Sequence, residues 1–212
     1  MVSTPAALRR ADPRIAVGLI GLAAAAAVRV EVAGVTGAPS IRAGVVFAAI
    51  VAVLAAATRT PSRFWYRPAG NRADSWSFDT RSGAVAVGLG VIGAVVLCVP
   101  AALRHAMDGT LGWSAHGYLP WAVAVVAVAS AEEALLRGSL YRAVDQRAGA
   151  VAAIALTSVA FALLHVPLYG WAVVPLDLAV GVWLGVLRAV TGSAVAPAVA
   201  HSLADLAGWW LR

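Results

Sequence analysis

The apolar run Tyr118–Ala129 passes without a turn signal into Ser130–Arg142, SAEEALLRGSLYR. Glu132 and Glu133 therefore continue a membrane-grade helix instead of standing in a polar loop. A carboxylate at the centre of a bilayer-spanning helix costs roughly 2.5–3.5 kcal/mol on insertion scales. Two adjacent ones at such a depth call for partners. Neighbouring residues on a helix point about 100° apart. Glu133 reaches Arg137 at i+4, an ion-pair spacing, which leaves Glu132 to face another element. The structural alternative is a helix-end ion pair at the headgroups, with Arg137 snorkelling outward.

Composition sets the solvent. Of 212 residues, 61% are hydrophobic and only 12% charged, against about 25% charged in a soluble domain. The chain reads as an all-α, polytopic transmembrane helix bundle with the lipid bilayer as its first partner. The net charge is +6 and every basic residue is arginine. Arginines at the ends of membrane helices account for that charge without a nucleic acid. Richness in Ala, Arg and Val without Lys suggests a bacterial source, so a bacterial cytoplasmic membrane is the expected location. Cys98 is the single cysteine, which precludes an internal disulfide; it reads as a small core residue.

In chain order, a polar leader with Arg9, Arg10 and Arg14 precedes a first helix, Ile15 extended towards Val35, with Arg29 near the far interface. Ile41–Ala57 is the second helix. The basic, aromatic stretch Arg59–Arg81, with Trp65, Tyr66 and Trp76, fits a segment at headgroup level. Gly83–Leu103 is the third helix; its Gly88, Gly90 and Gly93 permit close packing. Arg104–Gly117 reads as an outer loop, with His105 and His116 solvated. The fourth helix runs from Tyr118 to about Val144, and the fifth from Ala148 to Val166, where Pro167 ends it. Trp171–Arg188 is the sixth, with Gly181 and Gly185 as a GxxxG and with Asp177 and Arg188 as a structural, interhelical pair. Ser193–Leu211 is the seventh. With the N-terminus cytoplasmic, 12 of 16 arginines fall on the inner side, the positive-inside pattern. The expected organisation is three spans in 1–117, including a basic cytoplasmic loop, followed by a helical core in 118–212.

Polar groups recur on three of these helices. Glu132, Glu133 and Arg137 lie on the fourth, Phe161 and His165 on the fifth, His201 and Asp205 on the seventh. The last two pairs are spaced i, i+4 and share a helix face. At about 1.5 Å per residue, Glu132 lies about 18 Å from Val144 and His165 about 24 Å from Gly149. The same rise puts His201 and Asp205 about 12 and 18 Å from Ser193. Helices running in opposite directions thus carry these groups to similar depth in a core of about 30 Å. Taken singly, each His is a packing residue bonded to a neighbouring helix, Asp205 an arginine partner, and Phe161 core. Taken jointly they indicate a site. Amide hydrolysis needs such groups: a base for a water, donors for the developing oxyanion, and an acid for the leaving amine.

The ordered set Glu132-Glu133-x-x-x-Arg137, Phe161-x-x-x-His165 and His201-x-x-x-Asp205 resembles the CPBP family of intramembrane proteases, also called the CAAX protease, Abi or bacteriocin-processing family. Its pattern is EExxxR, FxxxH, then HxxxN or HxxxD. The resemblance spans roughly Tyr118 to Leu211. It implies hydrolysis of membrane-associated or lipidated peptides and proteins, with Glu132 and His165 activating a water. It also implies that His201 and Asp205 stabilise the oxyanion, with Glu133, Arg137 and Phe161 supporting the site. Asp donates a hydrogen bond only when protonated, so Asp205 is also read as orienting His201 or binding a metal. Glu132, His165, His201 and Asp205 are all Zn²⁺ ligand types. The preferred reading needs no cofactor, with zinc as the alternative.

Two other functions use the same features. A non-catalytic membrane scaffold or immunity protein would keep the fold. A small proton-coupled transporter would use intramembrane Glu, His and Asp, but would usually show inverted repeats and broken helices, which the sequence does not. Ser139 and Ser202 lack the setting of a serine nucleophile.

Overall fold

The structure is a computed structural model and describes residues 12–36, 41–59, 80–108 and 117–211. The segment carrying Trp65, Tyr66 and Trp76, and His116, lie outside the described residues. Those described are helical, with no strand among them. The helices are α1 (Pro13–Thr36), α2 (Ile41–Ala57), α3 (Thr80–Asp108) and α4 (Tyr118–Glu133). A π-helical segment, Ala134–Leu140, leads into α5 (Tyr141–Tyr169). A 3₁₀ turn, Trp171–Val173, then enters α6 (Val174–Thr191), and α7 is Val195–Gly208.

Large apolar side chains on the outer faces, among them Val53, Val95, Leu119, Val123 and Val151, are exposed. Water would not tolerate so much apolar surface; lipid does. Among the described residues, four helical stretches are long and apolar enough to cross a membrane: Pro13–Gly34, Gly83–Leu103, Tyr118–Tyr169 and Trp171–Thr191. The third has 52 residues, enough for two crossings at about 20 residues each. α2, with 17 residues, and α7, with 14, are shorter.

The expected helices differ from the observed ones most at three places, while the expected break between the fourth and fifth falls at Gly149. The fourth does not stay α-helical to Val144: it widens into the π segment at Ala134. Pro167 lies inside α5, which runs on to Tyr169 and is closed by Gly170 at φ 77°. A proline forfeits a single N–H bond, and only two residues follow it before the end. α3 continues to Asp108, so the backbone of Arg104 and His105 is helical and not loop. Within α5, Gly149 takes φ 82° and ψ 169°, a conformation open to glycine alone at little cost. There the chain doubles back. Ala153 packs on Tyr141 and Val144, and Phe161 and Leu164 pack on Ala131, Leu135 and Leu136.

Two larger cores, beside the Tyr141–Val144–Ala153 cluster, hold the described helices together. Leu22 and Ala25 of α1 and Phe47 and Val51 of α2 share one with Ala131, Leu135, Leu136, Leu140 and Phe161. In α2 the buried residues Ala43, Phe47, Val51 and Ala55 form a single stripe, as i, i+4 spacing requires. The second core joins Ala86, Leu184, Leu187, Ala196 and Ala200, from α3, α6 and α7. Glycine sets the closest approaches. A Cβ at Gly90 would meet the Ala196 carbonyl at 2.7 Å, and one at Gly181 would meet Ser158 Cα at 2.9 Å. Gly185 faces Ile154, at 3.1 Å from a built Cβ, whereas Gly88 faces open space.

Aromatic side chains gather at one end. Tyr118 stands 5.7 and 5.2 Å from Trp209 and Trp210, ring to ring, and Trp121 stands 4.8 Å from Trp209. At the other end, Arg147 Nη1 pairs with Asp12 Oδ2 at 2.7 Å. Amphipathic rings at one end and charged groups at the other are what two membrane–water boundaries select.

Candidate functional site: buried glutamates and histidines

The two adjacent glutamates point to different helices. Glu133 is fully buried. Its Oε1 accepts from Arg137 Nη1 at 2.7 Å and from His201 Nδ1 at 3.1 Å. Arg137, also fully buried, donates from Nη2 to the Gly181 carbonyl at 3.0 Å, and its guanidinium lies 5.0 Å above the Phe161 ring. A glycine at 181 both lets α6 approach α5 and leaves its carbonyl within reach. The expected Glu133–Arg137 pair is present; the snorkelling alternative is not, because Arg137 turns inward.

The π turn runs through this motif. The Tyr141 N–H bonds back to Leu136 O, five residues earlier. Arg188 donates from Nε to the Arg137 carbonyl at 2.9 Å and lies over the Tyr141 ring at 4.9 Å. Single π turns in α-helices occur frequently at functional sites. Arg188 is thus the partner of a backbone carbonyl, and the expected Asp177–Arg188 pair does not form.

Glu132 is 1% exposed, and its Oε1 has no hydrogen-bond partner. The nearest cation is Arg29 of α1, whose Nη1 lies 4.0 Å from that oxygen. The Arg29 side chain turns into the bundle, held 4.9 Å over the Phe47 ring. His165, His201 and Asp205 complete the electrostatic surroundings of Glu132.

Phe161 joins the three motifs. Its ring lies 4.7 Å from that of His165 and 5.3 Å from that of His201, both edge to face. His165 Nδ1 donates to the Phe161 carbonyl at 2.9 Å. A carbonyl only accepts, so the proton sits on Nδ1 and leaves Nε2 of a neutral ring as an acceptor. Asp177 Oδ2 lies 3.5 Å from the same Nδ1 and has no hydrogen-bond partner of its own. Tyr169 stacks on the His165 ring at 5.9 Å. His201 Nε2 faces Asp205 Oδ2 at 3.5 Å, and the Asp205 side chain is 43% exposed.

The structure therefore brings Glu132, Glu133, Arg137, Phe161, His165, His201 and Asp205 into one neighbourhood. It adds two residues that motif spacing did not reach, Arg29 and Asp177. An arginine and an aspartate within apolar runs were the signals that could have found them. Among the described residues, no three His, Cys, Asp or Glu side chains close into a group that could hold a metal. His201 Nδ1 is committed to Glu133, and His165 Nδ1 to the Phe161 carbonyl. Ser139 donates to the Ala55 carbonyl at 2.9 Å, a structural link between the π segment and α2.

Residues 114–207 match the family model described as type II CAAX prenyl endopeptidase Rce1-like. Over this segment the chain is similar to the Rce1-like family. No curated protein and no solved structure matches the chain. The Rce1-like segment contains α4, the π segment, α5, α6 and most of α7, and so every buried glutamate and histidine of the site. Arg29 comes from outside it. Long apolar helices and a membrane-protease family together mark an integral membrane protein.

Proposed function

We propose that the chain is an intramembrane endopeptidase that hydrolyses peptide bonds of membrane-associated or lipidated substrates with a water activated by Glu132 and His165. The observation that carries this reading is the contrast at residues 132 and 133. Glu133 spends Oε1 on Arg137 and His201, leaving Oε2 without a partner; Glu132 is equally buried, and its Oε1 has no hydrogen bond and only the 4.0 Å contact with Arg29. An unsatisfied buried carboxylate costs stability, so its retention points to a ligand or a reactant. Water is the smallest such reactant.

In this mechanism Glu132 accepts a proton from the water as it adds to the peptide carbonyl, and returns it to the leaving amine. His165 Nε2 accepts from the same water and aligns it. Asp177 and the Phe161 carbonyl hold the ring in the required tautomer. Asp205 orients His201, and Glu133 and Arg137 fix α4 against α6 and α7. The chain's own residues supply each of these roles, with no metal.

The membrane arrangement proposed with it has seven spans and a cytoplasmic N-terminus in a bacterial inner membrane. Arg29, Arg137 and Arg188 all engage groups inside the bundle. Setting these three aside, ten of the remaining arginines fall on the inner side and three on the outer, so the bias remains.

The test is cleavage of prenylated and unlipidated peptides by the purified chain in proteoliposomes, with Glu132→Gln alongside. Wild type should cleave lipidated peptides, and the variant should be slower by about 10² or more, the usual contribution of a positioned base. A folded wild type that cleaves no peptide in the panel counts against the reading. Activity lost to a chelator and restored by zinc would replace the glutamate–water mechanism with a metal one.

A further inference from the structure

The oxyanion is the least well-served part of this site. His201 donates from Nδ1 to Glu133, and a proton on Nε2 is turned toward Asp205 Oδ2. Its neighbour Asp205, at 3.5 Å, is an acceptor when ionised. Arg137 is fully buried, with Nη1 on Glu133 and Nη2 on the Gly181 carbonyl. Arg137 Nε–H has no partner but is as completely enclosed as the rest of that side chain, so a developing negative charge beside Glu132 finds no donor among these groups that is both uncommitted and open to substrate.

Among the described residues, Arg29 is the other cation beside Glu132. Its Nη1 lies 4.0 Å from Glu132 Oε1, too far for a direct hydrogen bond. One oxygen at about 2.8 Å from each atom fits that gap. The Phe47 ring under the guanidinium is itself completely buried, so the cation is held in place. The Arg29 side chain is nevertheless 20% exposed and can be reached from outside the bundle. A guanidinium presents five N–H donors in a rigid fork. It can hold a carbonyl oxygen beside a water that Glu132 holds.

We infer that Arg29 is a catalytic residue, the donor that receives the oxyanion when the Glu132-bound water attacks. This rests on the hydrolase reading above. The step balances. The water oxygen bonds to the carbonyl carbon, its proton passes to Glu132, and the carbonyl π pair moves onto the oxygen facing Arg29. When the C–N bond breaks, that pair re-forms the carbonyl and Glu132 returns the proton to the amine. The N-terminal helix, outside the Rce1-like segment, then completes the active site.

Arg29→Met and Arg29→Lys, each checked for an unchanged melting temperature, are to be compared with wild type and Glu132→Gln on a peptide that wild type cleaves in proteoliposomes. Arg29→Met should lose about 10²-fold or more in kcat, the effect of deleting an oxyanion donor, with KM within about threefold. Arg29→Lys keeps the cation but not the fork, and should fall between the two. A kcat for Arg29→Met within about threefold of wild type overturns the assignment, as does a loss confined to KM. Should Arg29→Met not fold, Arg29→Lys carries the test, and an unchanged kcat there overturns it. Inactive wild type, or active Glu132→Gln, would instead strike the hydrolase reading. Full activity of Arg29→Met beside a dead Glu132→Gln strikes only Arg29.

Discussion

Glu132 and Glu133 share a helix, a charge type and complete burial, yet their surroundings divide their work. Glu133 neutralises Arg137 and bonds His201. Removing one partner of a buried ion pair leaves the other uncompensated, at a cost of about 3–5 kcal/mol. Glu133→Ala should therefore lower the melting temperature in detergent sharply or prevent recovery of folded protein. Thermal unfolding followed by circular dichroism measures this, and an unshifted melt would contradict it. Asp177 acts at one remove, on the ring of His165. Asp177→Asn should lower kcat by about tenfold with KM and melting unchanged, as expected for loss of an orienting carboxylate; steady-state kinetics on a cleaved peptide decides it. The ion pair at i+4 was legible in the sequence because helical spacing alone dictates it. Arg29 and Asp177 were not, because their partners are fixed by which helices pack, and spacing within one helix carries no such information.

At the level of elements, most helix positions were legible from runs of apolar residues bounded by polar ones, and α2 has the expected ends, Ile41–Ala57. The π turn at Ala134–Leu140 was not. Its composition, ALLRGSL, suits an ordinary α-helix, and the widening goes with contacts from α6, where Arg188 takes the Arg137 carbonyl. The glycines were legible only as a class. Gly90, Gly181 and Gly185 prove to be close approaches, and Gly88 does not. Gly181→Ala would set a Cβ 2.9 Å from Ser158 Cα, a backbone atom that cannot swing aside. It should cost about 1–3 kcal/mol, as overpacking typically does, and should lower activity as well, since the Gly181 carbonyl also receives Arg137. Gly88→Ala is the control expected to leave the melting temperature unchanged. Equal melting of the two variants would contradict the packing account.

Across the whole molecule, helices from both sides of residue 118 build the candidate site. α1 and α2 share a core with α4, the π segment and α5, and Arg29 reaches Glu132. The Asp12–Arg147 pair fastens the start of α1 to the end of the bundle near the Gly149 turn. Partial burial pushes the Asp12 carboxyl up, but the Arg14 amide and the Arg147 guanidinium outweigh it and hold its pKa below the usual carboxylate value. A carboxyl lowered in the folded state stabilises above its unfolded pKa and loses that contribution as pH falls through the folded value. The melting difference between wild type and Asp12→Asn, at most about 1 kcal/mol for a pair near the surface, should therefore be full at neutral pH. It should vanish on acidification below about pH 4, the ordinary carboxylate range; a difference that grows with acid would contradict the sign. The central claim is that one buried glutamate is a reactant and its neighbour a structural strut. Peptide cleavage and melting temperature measured together on Glu132→Gln test it most directly. The account predicts that cleavage is lost while the melting temperature stays at the wild-type value or rises. Retained cleavage, or a fall in melting like that of Glu133→Ala, would contradict it.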